Sequence, residues 1–333
     1  MPRQRLKTLA AMAITAVVAG GVTAAIVAVA LPAAQAQGTR PGTTEFHADV
    51  TVGAAPDAVV FDGANLWTAN HGSANVTKVN AWSGAVVGTY AVGVNPSALA
   101  FDGMSLWVAN SGSNNVTKLN AATGAHVGTY PVGIDPDGIT FDGQDIWVAN
   151  YTSNNVMKLD PAGNVVATVT GIALPTGIVY GGEGFIWVTS WSVNTVTRVR
   201  VSTATVYQAI AVGSGPTSPA SDGQAVWIPN RNAGTVTKVD SGGSIVGTYQ
   251  VGIGAVAVAF DRPGSSATSA TDPGTYMWVV NNASNSLSKM DVTSGTMVGT
   301  YSVPDRPKGV AFDGTSIWVT SSAANSLARI RVR

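Results

Sequence analysis

The chain has 333 residues, with 18 basic and 18 acidic side chains, 38 glycines and no cysteine. The absence of cysteine excludes disulfides and thiol chemistry, and a chain near 300 residues buries a sufficient core without such staples. Balanced charge excludes the basic excess that a nucleic-acid partner requires.

The first segment differs from the rest. Arg3, Arg5 and Lys7 precede an uncharged, mostly apolar run over residues 8–31, and Ala34-Gln35-Ala36 forms an A-x-A cleavage signal. Residues 1–36 are therefore expected to be a secretory signal peptide. The apolar run exceeds the usual ~7–15 residues and is long enough to span a bilayer, so an uncleaved membrane anchor is the alternative. Either places the remaining chain in a secreted, extracellular or periplasmic setting, with the anchor as its one route to a membrane. Without those three cations, 15 basic side chains face 18 acidic ones, a net charge of −3. Residues 37–43 are expected to be a linker and 44–333 a single repeat domain.

In that domain Trp67, Trp107, Trp147, Trp187, Trp227, Trp278 and Trp318 recur every 40 residues, with one interval of 51 after Trp227. A period of about 40–45 residues is the length of one four-stranded propeller blade. Within the unit at 96–133 the alternation predicts strands over 96–101 (PSALAF), 105–110 (SLWVAN), 115–119 (NVTKL) and 126–132 (HVGTYPV), with turn residues between them. No window carries a helical period. The pattern predicts an all-β, seven-bladed β-propeller with four antiparallel strands per blade.

The last unit stops after three strands, and residues 46–52 (FHADVTV) are expected to supply its fourth. Ring closure of that kind leaves no open sheet edge. The long interval carries an 11-residue insertion within RPGSSATSATDPGTY, between Asp261 and Trp278, whose composition suits a surface loop. Loops of a meander alternate between two faces. The Asp-Gly turns and the insertion share one, called the bottom; the V-G-x-x-P lead-ins and the loops after each second strand share the top.

Residues present in every blade serve what every blade needs. The tryptophans are expected to wedge neighbouring blades apart. Eleven positions later comes a cation (Lys78, Lys118, Lys158, Arg198, Lys238, Lys289, Arg329), and five positions earlier in most blades a turn aspartate (Asp62, Asp102, Asp142, Asp222, Asp313), with Asp261 displaced and Gly182 in blade four. Ion pairing between them is the expectation, a cationic ring for an anionic polymer the alternative. Asn70, Asn110, Asn150, Asn230 and Asn281, three after Trp, are expected to cap turn backbone. Gly93, Gly133, Gly213 and Gly252 are expected to supply positive φ. Pro219 interrupts an inner strand.

Binding residues are sought where the repeat varies, on top-face loops held by a rigid frame. Four after each Trp stand His71, Ser111, Tyr151, Trp191, Arg231, Asn282 and Ser322. After each lead-in proline or its equivalent stand Asp57, Ser97, Asp137, Thr176, Thr217, Val256 and Lys308, flanked by Asp135, Asp305 and Arg306. The candidate set is Asp57, His71, Asp135, Asp137, Tyr151, Trp191, Arg231, Asn282, Arg306 and Lys308, a mixture of aromatic and charged groups suited to a small molecule, peptide or protein. Asp57, Asp135 and Asp137 are also candidate ligands for a hard divalent cation, calcium or magnesium. No H-x-H or H-x-E spacing and no Ser–His–Asp set emerges, so no catalytic residues are assigned.

The repeat LWVANSGSNNVTKLNAATGAHVGTYPVG resembles the YVTN family of β-propeller repeats, whose units carry a V-A-N-x-x-S-N-x-V core and a G-x-x-P lead-in. It is also similar to the repeat of the streptogramin B (virginiamycin B) lyase family, which places Trp in the second strand. The resemblance covers residues 44–333 and concerns architecture more than activity. The first family implies exported propellers that bind partners. The second implies a Mg²⁺-supported site of two histidines and two glutamates from late blades, yet residues 213–333, which carry blades five to seven up to the closing strand, contain neither residue type.

The expected function is a monomeric, exported binding module acting through its top-face rim. The alternatives are a lyase-like enzyme with a carboxylate metal site rebuilt around Asp57 and Asp137, and a structural envelope protein.

Overall fold

Short alternating segments between Gly, Asn and Asp turns form strands because each can bury one row of side chains against its neighbours. The computed structural model describes residues 46–261 and 276–332 and contains 28 strands in seven four-stranded antiparallel sheets. Apart from one 3-10 turn at His71–Ser73, no helix occurs among the described residues. Each blade is a meander running outward from the channel, as in Pro56–Phe61, Asn65–Asn70, Asn75–Asn80 and Val86–Ala91 of blade one.

Blade seven is composite. Its inner three strands are Pro307–Phe312, Ser316–Ser321 and Ser326–Arg331, and Phe46–Thr51 pairs antiparallel with the last, Phe46 opposite Ile330 and Thr51 opposite Ser326. The ring closes as the sequence predicts. The signal segment, the linker and the insertion up to residue 275 lie outside the described residues. Among the described residues no helix is long and apolar enough to cross a membrane.

The seven tryptophans are at most 1% exposed and sit between blades. Trp147 packs on Ile186 and Val188 of blade four, and Trp67 on Leu106, Val108 and Leu119 of blade two. Each such ring removes roughly 200 Å² from water, worth about 5 kcal/mol before entropy.

Three expectations about the frame need correction. The turn aspartate does not chiefly pair with the cation; it accepts the indole N–H, at 2.8 Å for Asp62–Trp67 and 2.7 Å for Asp102–Trp107. Its other oxygen takes backbone N–H groups of its own turn. The cation instead lies over the tryptophan ring opposite it, with Lys118 Nζ 4.5 Å from the Trp107 centroid. Its ammonium then reaches a carbonyl of the next blade: Lys78 to Ala121 O at 2.7 Å, Lys118 to Pro161 O at 2.7 Å. Arg329 does the same to Trp82 O at 3.0 Å and lies 3.9 Å from Asp313. At Lys78, Lys118, Lys158, Arg198, Lys238 and Arg329 the recurring cation is therefore a blade-to-blade stitch.

The asparagines are fully buried and bond side chains rather than turn backbone. Asn70 Nδ2 donates to Asn75 Oδ1 at 2.7 Å and Thr77 Oγ1 at 2.9 Å, tying the second strand to the third. The glycines are required by this packing. A Cβ on Gly93 would stand 2.7 Å from Asn110 Cβ, while Gly93 itself is not in the left-handed region. Positive φ falls two residues later, on Asn95 (53°) and Asp135 (60°), and in blade seven on the equivalent Arg306 (54°). An asparagine of the preceding blade holds that residue's N–H, Asn114 Oδ1 to Asp135 and Asn285 Oδ1 to Arg306, both at 2.9 Å.

Candidate functional site

The top face is assembled by two repeated contacts. The loop after each second strand bonds back to the lead-in of its own blade, as in His71 N to Ala55 O (3.1 Å) and Tyr151 N to Asp135 O (2.8 Å). The inner strand then slips register directly after its first residue: between Pro56 and Ala58, Pro96 and Ala98, Pro136 and Gly138, Pro175 and Gly177, Ala255 and Ala257, and over Pro307 to Val310. The slipped residue is a bulge, left out of the ladder and free to turn its side chain. Those residues are Asp57, Ser97, Asp137, Thr176, Val256 and Lys308.

Blade five reaches the same result differently. Pro219 removes a ladder donor, and the inner strand shrinks to Ala220–Ser221 with an isolated bridge from Pro216 to Asn230. Thr217 and Ser218 are released towards the channel. Ser218 is a lining residue absent from the sequence-based set; the proline beside it was its one sequence signal.

A cavity of about 370 Å³ results at the channel mouth, within the range of small-ligand sites. All seven inner-ring residues line it, with Ser218 and, from the outer ring, Tyr151, Trp191, Arg231 and Asn282. Beneath it lies a space of about 240 Å³ walled largely by apolar inner-strand residues such as Val59, Leu99 and Ile139. His71 and Arg306 line a neighbouring recess of about 480 Å³ that shares Asp57, Arg231, Asn282 and Lys308 with the mouth. Asp135 lines none of these spaces; its Oδ2 accepts from Thr152 Oγ1 at 3.3 Å.

Charge is unevenly distributed around the mouth. On the side of blades seven and one, Asp57 Oδ1 stands 2.7 Å from Lys308 Nζ, and Asp57 Oδ2 3.6 Å from His71 Nδ1. On blade three, removal from water raises the Asp137 carboxyl to about 7, with the charges of Asp135 and Asp57 adding to the effect and Lys308 opposing it. Asp137 therefore keeps its proton to far higher pH than an ordinary carboxyl. Blades four and five contribute Trp191 and Arg231, the guanidinium 5.8 Å from the indole centroid. The arrangement is a wall of opposite charges with aromatic surface between them.

Metal chemistry fits this wall poorly. An ammonium already occupies the face of Asp57 that a cation would need, and among the described residues no three His, Asp or Glu side chains are grouped to hold an ion. Among the described side chains, His71 is the histidine at the site; His126 sits on an outer strand with Nε2 2.9 Å from Thr129 Oγ1.

No protein-family profile and no curated protein sequence matches the chain. Solved structures do. A chain of hydrazine synthase from Kuenenia stuttgartiensis superposes with a TM-score of 0.72 at 20% identity, over 89% of this chain and 99% of that one. A streptogramin B lyase gives 0.72 at 18% identity, over 86% and 98%. Catalytically inactive virginiamycin B lyase from Staphylococcus aureus, solved with quinupristin, gives 0.73 at 17% identity, over 87% and 100%. The likeness is one of fold. At these identities it establishes the seven-bladed propeller fold and carries no activity with it.

Proposed function

We propose that this chain is an exported binding module whose ligand occupies the cavity at the channel mouth. The observation that carries the proposal is a division of labour within the repeat. Side chains common to all blades are consumed by contacts inside and between blades, whereas those that break the repeat converge on one concavity with acid, base and aromatic surface. Rigid scaffolds place recognition residues in this way. Export is supported by the basic, apolar and A-x-A succession of residues 1–36.

A lyase-like reaction has less support. The shared fold is its basis, but residues 213–333, which build blades five to seven up to the closing strand, hold no histidine or glutamate, and Asp57 is already paired with Lys308.

A thermal-shift screen of small molecules and short peptides tests the proposal, run on the wild type and on Trp191→Ala/Arg231→Ala. Ligands should raise the melting temperature of the wild type and lose most of that effect on the double variant. Hits that stabilise both proteins equally would move the site elsewhere.

A further inference from the structure

Most polar groups at the mouth already have partners. Ser97 Oγ donates to Pro136 O at 2.7 Å, Thr176 Oγ1 to Pro216 O at 3.1 Å, and Asn282 Nδ2 to Pro307 O at 2.8 Å. Each of these stitches one blade to the next. Asp57 is held by Lys308 and flanked by His71. Two charged groups remain outside this network. Among the described residues the Asp137 carboxylate has no hydrogen bond and no ion-pair partner, and the Arg231 guanidinium has only the Trp191 ring.

We propose that the mouth captures a short peptide by both ends, its α-ammonium on Asp137, its carboxylate on Arg231 and an apolar side chain on Trp191 and Tyr151. The inference rests on the binding reading above and adds the ligand class. The two charges belong to blades three and five, and blade four with Trp191 stands between them. A matching ligand carries opposite charges separated by an apolar body, as a di- or tripeptide does and a free amino acid, with its charges on one carbon, does not. Guanidinium pairs with carboxylate in a two-pronged geometry, and aromatic rings add stacking surface. A purely anionic ligand would meet the unpaired Asp137 carboxylate. A purely cationic one would leave Arg231 unanswered and face Lys308.

The pH dependence follows from the groups around Asp137. Removal from water, then Asp135 and Asp57, disfavour its ionisation; Lys308 favours it, and an arriving ammonium favours it further. Affinity should rise from pH 6 towards pH 7.5 as Asp137 ionises. It should fall again above the peptide ammonium's own pKa of about 7.7–8.

Titration calorimetry at pH 7.5 with Gly-Phe-Gly tests this, alongside its N-acetyl form, its C-terminal amide and the doubly blocked peptide. The free peptide should bind at least about tenfold more tightly than either singly blocked form, the loss of one charge-assisted contact. Asp137→Asn should erase the difference between free and N-acetylated peptide together with the rise from pH 6. Arg231→Gln should erase the difference between free peptide and amide. Equal binding of all four peptides overturns recognition of the ends and leaves the cavity standing. Binding by none overturns the peptide assignment, and the ligand screen then judges the cavity independently.

Discussion

The interblade belt and the channel mouth are built from the same forty-residue unit, yet they treat polar groups in opposite ways. In the belt each charge is answered: Asp102 takes the Trp107 N–H, and Lys118 lies on that indole and bonds a carbonyl of blade three. At the mouth Asp137 and Arg231 face open space, and Asp137 holds its proton to about pH 7. The difference teaches where to seek function in a repeat protein. A charge held by a partner serves the frame; Asp137, removed from water without one, lowers stability and is left available to a ligand.

The comparison breaks most readily at the belt. Trp107→Ala should destabilise by about 3–5 kcal/mol, lowering the melting temperature by roughly 5–8 °C, because it removes a large ring from a fully packed interface. A drop of only a degree or two in a calorimetric scan would mean the blades do not depend on it. Gly93→Ala comes next, at about 1–3 kcal/mol, since its Cβ would collide with Asn110. Asn110→Gly in the same chain should recover part of that loss.

Mouth substitutions should behave differently in sign. Between pH 4 and pH 7 the folded chain retains the Asp137 proton that the unfolded chain has released, so this group lowers stability as pH rises through that window. Asp137→Asn should therefore melt higher than wild type at pH 8, by about 1–3 kcal/mol, with the gap closing towards pH 4. A gap that widens towards acid would mean the carboxylate is stabilised in the fold and would contradict its assignment as a ligand group. The smallest stability effect belongs to Trp191→Ala, within about 1 kcal/mol, since its ring is partly exposed at the cavity wall. Comparable losses for Trp191→Ala and Trp107→Ala would erase the distinction between mouth and belt.

The fold was largely legible in the sequence because its periodicity repeats one local problem seven times. Trp spacing, the missing fourth strand of the last unit and the spare strand at residues 46–52 together specify a closed ring. Membership of the two top-face rings was also visible, as positions where the repeat varies. The roles of Asn110 and Gly93 were not. A side chain that bonds across strands and a glycine that makes room for it lie far apart in the chain, and nothing local in either segment announces the contact.

The sequence by itself determined the number of blades, their order and the closure, since these depend on hydrophobic alternation and turn chemistry that act within a few residues. Tertiary structure decided which charges are already satisfied. Only with the ring closed does Lys308 of blade seven meet Asp57 of blade one, and only the bulge after each lead-in proline turns Asp137 into the channel. Coulombic pairing and desolvation depend on distances across the ring, which no local pattern encodes.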